Sequence, residues 1–87
     1  MKVLKFYADW CGPCKVYAPI FEKVVKESEV EYENIDLDKD TDGLAAKYKI
    51  RSIPATVFIY DDDTVVKEAG LLSEEILIEL IKKNKLC

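Results

Sequence analysis

The chain contains no histidine, carries no excess of basic residues and has no long hydrophobic run. Each absence excludes something. A structural zinc site is typically closed by four cysteine or histidine side chains. Without histidine, and with only three cysteines, such a site has little to draw on. Thirteen Lys and Arg against 17 Asp and Glu leave a net charge of −4. That balance argues against a nucleic-acid partner, which needs clustered cations for its phosphates. The lysines alternate with acids, as in Glu22-Lys23 and Lys26-Glu27, in the manner of a solvated surface. No segment approaches the roughly 20 apolar residues of a membrane span. The opening, Met1 to Tyr7, is too short and too interrupted by lysine for a signal-peptide core, so the cytoplasm is the expected location. Repeats, low-complexity stretches and linkers are also missing.

What is present is the composition of a globular domain: 87 residues, 49% hydrophobic and 34% charged, expected to form one domain over residues 1–87. So small a domain buries a modest fraction of its surface and has a thin stability margin. Val3 to Tyr7 reads as a strand. Gly12 to about Glu27 reads as a helix, with Val16, Ile20, Phe21, Val24 and Val25 along one wide face. Val30 to Leu37 reads as a second strand, and Thr41 or Asp42 is the expected cap of a short helix through Tyr48. Ala55 to Tyr60, the polar turn Asp61-Asp62-Asp63 and Thr64 to Glu68 read as a hairpin. Ser73 caps a last helix, with Glu74 and Glu75 in its first turn and lysines near its end, as the helix dipole favours. The order is βαβ, a short helix, then ββα, an α/β sandwich with a four-stranded mixed sheet flanked by helices. Its βαβ crossover should be right-handed, with those two strands parallel.

Trp10-Cys11-Gly12-Pro13-Cys14 falls where the first strand ends and the first helix begins. A thiolate is the reactive form of cysteine, and a helix N-terminus offers free N–H groups and a positive dipole end to stabilise it. Gly12 permits the tight entry and Pro13 suits the first helical turn. Cys11 is expected at the exposed edge and Cys14, a turn further in, to be shielded. This suits attack by Cys11 on a disulfide, followed by attack of Cys14 on the mixed disulfide. The bland alternatives are half of a zinc site or two incidental core cysteines. The third cysteine, Cys87, reads as an exposed tail thiol.

The run from Phe6 to Lys15, FYADWCGPCK, closely resembles the active-site signature of thioredoxins. Ala18-Pro19, Ala46-Lys47-Tyr48, Ile50-Arg51-Ser52-Ile53-Pro54 and Gly70 match in order and at fitting distances, so the resemblance covers nearly the whole chain. It implies a minimal thioredoxin fold and assigns roles residue by residue. Trp10 would flank the nucleophile, and Gly12 and Pro13 would share the substrate-contacting surface. Pro54 would be a cis-proline facing the two cysteines, and the backbone of Ile53 would pair with substrate peptide. Pro19 would kink the first helix. Gly70 would let substrate backbone approach, although a plain turn glycine fits the sequence nearly as well.

Three departures stand out. The chain starts at what would be the family's central strand, which leaves Val30 to Leu37 at a sheet edge. Glu31 and Glu33 there suit the use of charge against edge-to-edge pairing. Most thioredoxins carry a buried Asp five residues before the signature tryptophan; here that residue is Lys5. Lys5 either snorkels to solvent or lies near Cys14 and shifts its ionisation, with an acid such as Glu33 as partner. Ala55 stands where a threonine usually follows the cis-proline. One further pattern, Asp38-Lys39-Asp40-Thr41-Asp42-Gly43, matches half of a calcium loop. Lys49 stands where the bidentate glutamate belongs, so no metal site is expected.

The resemblance implies a protein-disulfide reductase that binds no cofactor and takes electrons from an NADPH-dependent, thioredoxin-reductase-like flavoenzyme or from glutathione. Its partners would be disulfide-containing proteins and that reductase, with no nucleic acid and no membrane, and the chain would be a monomer. A glutaredoxin-like enzyme and a redox-independent binding subunit are the rival expectations.

Overall fold

The computed structural model describes residues 1–85. Four strands form a mixed sheet in the order β2-β1-β3-β4. β1 (Lys2–Tyr7) pairs in parallel with β2 (Glu31–Asp36) and antiparallel with β3 (Ala55–Ile59). β3 in turn pairs antiparallel with β4 (Val65–Ala69). The helices are α1 (Gly12–Glu27), α2 (Leu44–Lys47) and α3 (Glu74–Lys82). This is the four-stranded α/β sandwich expected, with β2 at one edge. Two 3-10 turns, Leu37–Lys39 and Lys83–Lys85, add to it. Cys87 lies outside the described residues.

The two-residue period of a strand decides what each face of the sheet buries. Val3 of β1 and Phe58 of β3 face a cluster containing Tyr17, Phe21, Val24 and Val25 of α1 and Leu77, Leu80 and Ile81 of α3. Leu4, Phe6, Ile35 and Val57 face the other way, under Leu44, Ala45, Tyr48 and Ile50. Lys5 shares parity with Val3 and is therefore turned to the α1 side. Glu33, opposite Leu4 in the ladder, belongs to the far face and pairs with Lys2 at 3.3 Å.

Ser73 caps α3 as its sequence suggests, accepting the Ile76 N–H at 3.2 Å. The start of α2 differs from expectation. Gly43 is its N-cap in a left-handed conformation (φ 67°), and neither Thr41 nor Asp42 caps it. The Asp40 carboxylate reaches over the turn instead and accepts from the Leu44 and Ala45 N–H groups at 3.0 and 2.9 Å. One carboxylate of the half calcium pattern, that of Asp40, thus serves the start of the helix.

Candidate active site

β1 delivers the chain to a tight corner that opens α1. The Cys11 N–H donates to the Ala8 carbonyl at 3.1 Å, and Cys11 becomes the N-cap of α1, with Gly12 and Pro13 following in the first turn. Its sulfur accepts the Cys14 N–H at 3.2 Å. A helix N-terminus leaves such N–H groups without intrahelical partners. Here one of them points at Cys11 Sγ, and no acidic residue sits in the first turn to oppose negative charge. A thiolate at Cys11 thus finds a hydrogen bond and the positive end of the dipole.

The two sulfurs are joined as a disulfide, with Cα atoms 5.3 Å apart. The expected contrast in exposure is small: Cys11 is 6% exposed and Cys14 3%. The reason is a long-range contact. Ile53 packs against the pair, and its carbonyl oxygen lies 3.8 Å from Cys11 Sγ. What distinguishes the two sulfurs is their place on the helix, since only Cys11 receives the capping N–H.

The Ile53–Pro54 peptide bond is cis. Pro54 is fully buried, and its carbonyl accepts the Gly70 N–H at 2.8 Å. Gly70 has φ 89°, a conformation that costs glycine little and other residues more. It therefore serves as a clasp at the end of β4 that fixes the Pro54 loop. Trp10 is 70% exposed beside the disulfide, and Val16, one turn along α1, is exposed too. A groove lined by Trp10, Arg51, Ser52 and Ile53 runs alongside. Trp10, Cys11, Gly12, Pro13, Cys14 and Ile53 thus meet at one end of the sheet, with Pro54 and Gly70 supporting them.

Lys5 does not snorkel. It is 4% exposed, its ammonium lying 5.2 Å from the ring centre of Phe21 and 5.5 Å from that of Tyr7. Burial pushes its ionisation below the ordinary lysine range, and the Glu22 carboxylate acts the other way. Glu22, not Glu33, is therefore its acidic partner. Lys5 and Cys14 line one cavity of about 290 Å³, with Asn34 of β2 on its wall.

Three residues of the surroundings went unflagged in the sequence. Glu22 bonds Lys26 and lies at 3.5 Å from the Asn34 amide. Tyr17 and Thr56 share a buried 2.8 Å hydrogen bond beneath α1, and burial pushes the phenol up to about 12 against the opposing effect of that bond. The helical spacing that puts Tyr17 and Phe21 one turn apart was the available signal.

Comparison with known proteins agrees with this geometry. The family model described as thioredoxin matches residues 1–83. The thioredoxin of Mycoplasmoides gallisepticum is 38% identical over 81 residues, covering 92% of this chain and 80% of that protein. Among solved structures, a mutant thioredoxin from Halobacterium salinarum superposes with a TM-score of 0.86 at 34% identity, covering 95% of this chain and 73% of the other. Fasciola hepatica thioredoxin superposes at 0.82 with 39% identity, covering 95% and 79%.

Proposed function

Because the chain belongs to the thioredoxin family and is a thiol–disulfide oxidoreductase, we propose that it acts as a protein-disulfide reductase with Cys11 as nucleophile and Cys14 as resolving thiol. The observation that carries the assignment is the cap: Cys11 Sγ alone receives a helix N-terminal N–H. In the reduced protein the Cys11 thiolate attacks one sulfur of a substrate disulfide, and the other substrate sulfur leaves as a thiolate. Cys14 then attacks Cys11 Sγ, closes the 11–14 disulfide and releases the second substrate sulfur. The substrate gains two electrons and the cysteine pair loses them.

The remaining groups bind. Trp10 and the neighbouring Gly12-Pro13 corner offer an exposed, partly apolar docking surface. The Ile53 backbone, held by the cis Pro54 and its Gly70 clasp, pairs with extended substrate peptide. No cofactor is needed in this scheme, since the cysteine pair stores the electrons. The chain works as one domain and as a monomer in the cytoplasm; among the described residues no helix is long and apolar enough to cross a membrane. Electrons come from a thioredoxin-reductase-like flavoenzyme using NADPH.

Insulin reduction separates the donors. With NADPH and a thioredoxin reductase, the protein should drive precipitation of reduced insulin chains and steady NADPH oxidation. With NADPH, glutathione and glutathione reductase at equal protein concentration, the rate should stay near background. Turnover supported by glutathione alone would make the protein glutaredoxin-like instead.

A further inference from the structure

The cavity beneath the active-site corner holds a buried cation that the scheme above does not use. Lys5 is one of only two buried polar or charged side chains among the described residues, the other being Thr56, which bonds Tyr17. Its ammonium makes no hydrogen bond among the described residues, and it shares with Cys14 a cavity that opens to solvent. Lysine is almost never buried without a close ion pair or hydrogen bond, so its place on a cavity wall shared with the inner sulfur calls for a physical account.

We propose that Lys5 is a positioning residue for the resolving step, its ammonium favouring the Cys14 thiolate that attacks the mixed disulfide. This rests on the reading that Cys14 is the resolving thiol. Three features favour the charged form of Lys5 against the burial that opposes it: the faces of the Phe21 and Tyr7 rings and the nearby Glu22 carboxylate. An opposite charge close by favours the ionised form of a thiol, and the low dielectric of a buried site strengthens that effect. Other charged groups face the cavity from its rim. Asp9, in the loop after β1, and Lys15, on α1, have opposite signs, and Tyr7 completes the titratable groups of its wall. β2 contributes the neutral Asn34 and β3 the neutral Thr56 opposite Lys5. Lys5 is thus the one buried charge on that wall.

In the step itself, the Cys14 thiol gives its proton to solvent through the open cavity. The thiolate then attacks Cys11 Sγ, so the Cys11–Cys14 bond forms as the bond from Cys11 to substrate breaks. The leaving substrate thiolate takes a proton from water, and Lys5 remains an ammonium throughout. The advantage is smaller than the gain in thiolate, because nucleophilicity falls as a thiol becomes more acidic. A tenfold gain in thiolate leaves about a three- to fourfold gain in rate.

Two measurements test the inference. Coupling between two groups is reciprocal. The Lys5 ammonium, followed by NMR in the unmutated protein, should therefore titrate about one pH unit higher in the reduced state than in the disulfide state, a tenfold coupling. In reduced Cys14→Ser it should titrate as in the disulfide state. In Lys5→Met, release of substrate from the mixed disulfide should slow about three- to fourfold at neutral pH, with the acid limb of the profile moved to higher pH. Attack by Cys11 should change less than about twofold, a split that a purely structural role would not produce. Identical Lys5 titration in both redox states overturns the inference even if the variant does not fold. Failure of Cys14→Ser to trap substrate would instead overturn the assignment of Cys14 as resolving thiol, so the two failures are distinguishable.

Discussion

Cys14→Ser should halt the protein at the mixed disulfide, with roughly one substrate molecule bound through Cys11 per chain, while Cys11→Ser should bind none and show no detectable insulin reduction. The asymmetry follows from the corner at the start of α1. Both sulfurs are buried in the disulfide, but only Cys11 Sγ accepts a helix N-terminal N–H. An N–H aimed at sulfur stabilises the thiolate more than the thiol, so the first attack belongs to Cys11. Without Cys14 the mixed disulfide lacks the neighbouring thiol of the Cys11-Gly12-Pro13-Cys14 corner that would release it. Non-reducing gels and intact-mass measurement of protein incubated with oxidised insulin check both variants. Substrate captured by Cys14 in Cys11→Ser would reverse the roles.

Phe21→Ala should cost about 3–5 kcal/mol of folding stability, the usual range for deleting a fully buried phenylalanine. Phe21 is completely buried at the centre of the cluster between α1, α3 and the sheet. Its ring meets Tyr17 and Tyr32 at centroid distances of 5.8 and 6.0 Å and underlies the Lys5 ammonium. Removing it opens a cavity, breaks two aromatic contacts and leaves a buried cation with one ring fewer. Typical stabilities of roughly 0.05–0.15 kcal/mol per residue put the whole 87-residue chain at about 4–13 kcal/mol. The loss is thus a large share of the total. Urea unfolding followed by circular dichroism measures it; a loss under about 1.5 kcal/mol would mean that the core closes around the gap.

The sequence is most legible where the physics is local. The bounds of α1 follow from its apolar spacing and its Gly12-Pro13 entry, and Ser73 announces α3 because an N-cap bonds only two or three residues ahead. Strand ends slip by a residue, since pairing with neighbours decides where a strand stops. The cap of α2 was misread because Asp40 reaches four and five residues forward across a turn that the left-handed Gly43 makes possible. The burial of Cys11 was misjudged because Ile53, 42 residues away, closes over it. The partner of Lys5 was misassigned for a reason that strand parity contains. Lys5 lies opposite Asn34, so Glu33 points to the other face, and Glu22 of α1 is the acid left on the right side. Only the register, a tertiary fact, makes that visible.

The central claim is that the helix cap makes Cys11 the reactive sulfur, and limiting alkylation of the reduced protein tests it most directly. At pH 6.5 an ordinary thiol with a pKa near 8.5 is only about 1% ionised, so iodoacetamide at less than one equivalent selects the most thiolate-like cysteine. Peptide mapping by mass spectrometry should find the label on Cys11, with Cys14 unmodified. Label on Cys14 ahead of Cys11, or equal labelling of both at the rate of a free thiol, would contradict the account.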